Sequence, residues 1–108
     1  MGSPVSESTG DQRPIGVMDS GTGGLTVLRA IRERLPHESI LYVADQLHFP
    51  YGPRYPDEVR GFAFDIIRYL ESRDVKLVVI ACNTATAAAL NPAREMFNVI
   101  KATLSVRR

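Results

Sequence analysis

The chain has 108 residues, 13 basic and 12 acidic side chains and a single cysteine. That length holds one domain with a modest core, and the near-neutral balance gives no electrostatic case for nucleic acid or an anionic membrane as partner. One thiol excludes an internal disulfide framework and fits a reducing, cytoplasmic compartment, while no apolar stretch approaches the ~20 residues of a membrane span.

Residues 1–13 are polar and rich in Pro, Ser and Gly, and read as a disordered leader without a signal-peptide core. Met1-Gly2-Ser3-Pro4-Val5-Ser6 also fits the short myristoylation pattern, a match of few fixed letters. The folded domain is expected over 14–108. Its first strand, near 14–18, runs into Asp19-Ser20-Gly21-Thr22-Gly23-Gly24. A helix over 24–35 follows, with Leu25, Leu28, Ile31 and Leu35 on its core face and Pro36 ending it. The glycines leave amides free for an anion, but the loop matches neither Gly-x-Gly-x-x-Gly nor a phosphate loop, so nucleotide binding does not follow.

A second strand, near 39–44, ends at Asp45. The next ten residues, Gln46 to Tyr55, carry His, Pro, Gly and aromatics, which suits a rigid wall over a site or a packed surface loop. Pro56, Asp57 and Glu58 open a helix over 56–72 whose Val59, Phe62, Ala63, Ile66, Ile67 and Leu70 follow the core-facing period.

The apolar run near 76–81 reads as a strand buried on both faces, stopping at Cys82-Asn83-Thr84. A helix over 84–97 is expected, capped by Thr84 or Asn83, with Pro92 kinking it or breaking it at Leu90 so that Asn91 caps a fresh turn. In the tail, Val99, Ile100, Leu104 and Val106 can add a fourth strand.

This alternation implies an α/β fold: a parallel sheet of three to four strands with flanking helices in three layers. Asp19, Asp45 and Cys82 then lie at carboxyl ends of strands, along the edge where open α/β sheets bind ligands. Cys82 has two readings there. It can be a small apolar filler, or a thiol whose anion the helix start favours.

Elimination narrows the chemistry. Gly-x-Ser-x-Gly is absent, and Cys82, His48 and Asp19 lack a diagnostic metal spacing, so no metal is expected. The only lysines, Lys76 and Lys101, are misplaced for a pyridoxal enzyme, and no cofactor is expected. What remains is a thiolate base or nucleophile oriented by a carboxylate, or a non-catalytic module that binds a small molecule or a protein.

Three segments carry a resemblance: Ile15 to Leu28 (IGVMDSGTGGLTVL), Pro50-Tyr51-Gly52 and Val79 to Ala87 (VIACNTATA). Together they resemble the N-terminal half of glutamate racemase, over roughly residues 14–97. The resemblance implies one half of a two-domain α/β fold and cofactor-independent interconversion of L- and D-glutamate for peptidoglycan synthesis. It implies that Cys82 is one of two catalytic cysteines and Asp19 the carboxylate assisting it. Asp19, Ser20, Tyr51, Gly52, Asn83 and Thr84 would hold the amino acid. The family's second domain, with its Cys-Thr-His motif, has no counterpart in these residues. The expectation is therefore a truncated, poorly active form that relies on a missing C-terminal domain or a homodimer. An aspartate- or hydantoin-type racemase relative stays open beside it.

Overall fold

In the computed structural model, residues 11–21 and 23–101 are described. Most of the expected leader, and the tail with Leu104 and Val106, lie outside the described residues. The elements are β1 (Ile15–Asp19), α1 (Gly24–Arg34), β2 (Ile40–Ala44), α2 (Pro56–Ser72), β3 (Leu77–Ile80), α3 (Asn83–Arg94) and β4 (Val99–Lys101). All pairings are parallel in the order β2-β1-β3-β4, so the expected three-layer α/β arrangement is present and the tail supplies the fourth strand.

Strand side chains alternate between faces, and that period splits the core in two. Ile15, Val17 and Val79 pack with Val27 of α1 on one face. Met18, Val78 and Ile80 face the other way, against Val59, Ala63, Ile67 and Leu70 of α2 and Ala85 and Ala89 of α3. Central β1 is buried at every position, while edge strand β2 is half-buried throughout. The α2 stripe is as the sequence period predicts, and full burial of Ile67 and Leu70 contributes roughly 2 kcal/mol apiece.

Helix α1 departs from its expected face. Gly24 and Val27 are buried with Ile31 packing beside them, whereas Leu25 and Leu35 are each about half exposed. The cause is at the helix start. The Gly24 amide donates to the Asp19 carboxylate at 2.8 Å, and this anchor turns the 24-27-31 row toward the sheet.

Helix α3 also differs. It starts one residue earlier than expected and runs unbroken through Asn91 and Pro92, ending at Arg94 rather than Phe97. A proline within a helix removes the amide that would serve the carbonyl four residues back. That carbonyl belongs to Ala88, and Arg60 of α2 donates Nε–H to it at 3.1 Å. The defect is thus met from a neighbouring helix, and no fresh capped turn forms.

Candidate functional site

The carboxyl ends of β1, β2 and β3 lie side by side. The Asp45 amide donates to the Asp19 carbonyl, and the Ala81 amide to that of Met18, so the ladder extends to the polar residues themselves.

Asp19 is only 2% exposed, the one buried charged residue among those described. One oxygen, Oδ2, accepts from the Gly24 amide at 2.8 Å and from the Tyr42 hydroxyl at 3.0 Å. Gly24 must be glycine for this approach, since an added Cβ would stand 2.7 Å from the Asp19 Cγ. Burial raises the Tyr42 phenol, and the anionic partner adds to it, to about 12 from an ordinary 10.

Asp45 anchors the following loop. Its carboxylate accepts from the His48 amide at 3.2 Å and from the Tyr51 hydroxyl at 2.7 Å, and lies 2.9 Å from His48 Nδ1. Partial burial works to raise the Asp45 carboxyl, but the Tyr51 and His48 donors outweigh it and hold it below the usual 3.8. The His48 ring stacks on Phe62 of α2 at 3.7 Å, and Arg54 lies over the same Phe62 ring at 5.1 Å while donating to the His48 carbonyl. The loop is therefore a packed one, held on α2 and on Asp45. Tyr51 is fully buried, whereas Leu47, Phe49 and Tyr55 project outward.

Cys82 caps α3 itself. Its Sγ accepts from the Ala85 amide at 3.4 Å, in place of the expected Thr84 or Asn83 cap. The strand ends at Ile80, which brings the cap position back to the cysteine. The Thr86 hydroxyl donates to the Cys82 carbonyl at 2.8 Å and tightens the first turn. Cys82 is partly buried and packs against the core cluster of α2 and α3.

The sequence-derived residues meet only in part. Ser20 and Thr84 are half-buried, and Gly52 and Asn83 are exposed, all at this edge. No hydrogen bond joins Asp19 to Cys82 among the described residues. Asp19 turns to the α1 side through Gly24, and Cys82 packs on the α2–α3 side with Tyr51. Tyr51 links them electrostatically. Burial first, then Asp45, and then the charges of Cys82 and Asp19 push its phenol well above the tyrosine range. Tyr42 escaped the sequence reading, although it was the one hydroxyl in the strand run Ile-Leu-Tyr-Val-Ala. Among the described residues no three His, Cys, Asp or Glu side chains cluster as a metal site, and no helix is long and apolar enough to cross a membrane.

No family model matches the chain. Its sequence is 58% identical over 80 residues to the glutamate racemase of Limosilactobacillus reuteri (strain DSM 20016), covering 74% of this chain and 30% of that protein. Its fold matches the glutamate racemase of Thermus thermophilus, in complex with beta-chloro-D-alanine, with a TM-score of 0.80 and 47% identity, over 83% of this chain and 36% of that one. The glutamate racemase of Francisella tularensis subsp. tularensis SCHU S4, in complex with D-glutamate, gives 0.79 and 39%, over 83% and 35%. The chain thus spans about a third of the length of the racemases it matches.

Proposed function

We propose that this chain carries one thiol half of a cofactor-independent glutamate racemase site, serving the supply of D-glutamate for peptidoglycan in the cytoplasm. The observation that carries the reading is Cys82 itself: a partly exposed sulfur at the carboxyl edge, held by the Ala85 amide at a helix start. Helix N-termini favour anions, which suits both a thiolate and a substrate carboxylate. The amides at the start of α3, with Asn83 and Thr84, would receive a carboxylate. Asp19, with Ser20, would face the ammonium. Tyr51 spends its only hydrogen on Asp45, so toward a ligand its oxygen can only accept.

In the proposed step the Cys82 thiolate takes the Cα proton. An S–H bond forms, the Cα–H bond breaks, and the electron pair spreads into the α-carboxylate. Racemisation then needs a second acid on the opposite face, and this chain holds one thiol. A further domain or a second copy would supply it. A positioned acid or base contributes ~10²–10⁴ in rate. The 108-residue chain is therefore expected to exchange the Cα hydrogen of one glutamate enantiomer with solvent while racemising it negligibly. The test is incubation with each enantiomer in deuterated water, read by mass and by chiral chromatography. Exchange abolished by Cys82→Ala supports the reading. No exchange with either enantiomer refutes it, and full racemisation moves the second acid into a homodimer.

A further inference from the structure

The edge holds two tyrosine–aspartate pairs, and only one includes a residue proposed to assist the thiol. Tyr42 lies on β2, and its ring packs with the apolar cluster of Ile15, Val17, Val27 and Val79. Its hydroxyl emerges from that cluster onto Asp19 Oδ2 at 3.0 Å. The Gly21 carbonyl, at 3.5 Å, is a poorer acceptor at longer range, and a phenol has one hydrogen to give. The Gly24 amide holds the same oxygen from the other side. Oδ1 receives no donor from any described residue. The carboxylate is thereby fixed about one oxygen. A buried carboxylate without such partners would be free to rotate or would be costly to bury.

We infer that Tyr42 is a positioning residue for Asp19, holding one carboxylate oxygen and so fixing the direction of the carboxylate proposed to assist the Cys82 half-site. This rests on the thiol reading above, but its test does not need turnover. Cys82 is the only cysteine, so alkylation of the whole chain by iodoacetamide reads a single site by mass. The rate is measured from mildly acid to alkaline pH for the parent, Tyr42→Phe, Asp19→Asn and the double variant. The phenylalanine keeps the ring in its cluster and removes only the donor.

Tyr42→Phe is expected to change the rate or shift the profile by about tenfold, the size of one unit of charge coupling, and to change nothing further in the Asp19→Asn background. In Asp19→Asn the phenol absorbance of Tyr42, held up first by burial and then by Asp19, should titrate at lower pH than in the parent, which reports the pair without reference to Cys82. Equal effects of Tyr42→Phe in both backgrounds, or none in either, overturn the inference. Loss of glutamate-dependent exchange in the parent chain, with the alkylation cycle intact, would refute the racemase reading and leave the positioning of Asp19 standing.

Discussion

Asp19 and Asp45 look alike in sequence, each an acid closing a short apolar strand, yet the fold uses them differently. Every group that reaches the Asp45 carboxylate comes from within six residues of it: the His48 amide, the His48 ring and the Tyr51 hydroxyl. Asp19 is held by a tyrosine 23 residues away and by the first turn of the next helix. The first is a local staple for a loop. The second is a carboxylate whose direction is set by three separate elements, which is what a group acting on a ligand requires.

The largest expected effect tests the staple. Asp45→Ala would leave the buried Tyr51 hydroxyl and the His48 amide without their acceptor, and breaking a buried network of this kind costs about 3 kcal/mol. Urea unfolding measures it. If Asp45 acts only locally, the Gly24 amide resonance stays where it was, and a large shift there would erase the distinction.

Gly24→Ala is the converse experiment. A methyl group 2.7 Å from the Asp19 Cγ forces the carboxylate or the helix to move, at about 2 kcal/mol for overpacking. The Tyr51 environment should be unchanged. Gly52 offers an internal control, because an added Cβ there meets nothing within 4 Å.

The smallest effect is the pH dependence, and its sign separates the pairs. Asp45 is held below 3.8, so its contribution is present above that value and is lost as pH falls through the depressed one. Tyr42 is raised from 10 to about 12, so its contribution is present below 10 and declines between those values. Tyr51 declines in the same alkaline direction, starting at its ordinary 10. Thermal unfolding across pH should show an acid slope reduced in Asp45→Ala and an alkaline slope reduced in Tyr42→Phe.

Much of this was legible in the chain because it follows from short-range period. The buried runs gave parallel strands, the Val59-to-Leu70 stripe gave α2, and the strand ends gave the edge. What escaped depends on contacts across distance. The α1 face was decided by one backbone amide on Asp19, not by leucine spacing. Cys82 displaced Asn83 and Thr84 as cap because a sulfur can accept as an oxygen does, and spacing alone could not choose among three adjacent acceptors. Pro92 is tolerated through Arg60, 32 positions earlier, a partner that no window around the proline contains.

The strand order has a consequence for how the chain is made. Central β1 can pair with β2 as soon as the first βαβ unit has emerged, but its other edge waits for β3, whose register begins at Leu77 against Ile15. At ~5–20 residues per second, the roughly thirty-five residues from the end of β2 at Ala44 to the end of β3 at Ile80 take about 2 to 7 seconds to synthesise. During that interval β1 presents an edge of unpaired backbone N–H and C=O groups to the ribosome exit and its chaperones. Asp19 ends β1 and Cys82 follows β3, so the edge that carries both residues is assembled only once β3 has paired with β1.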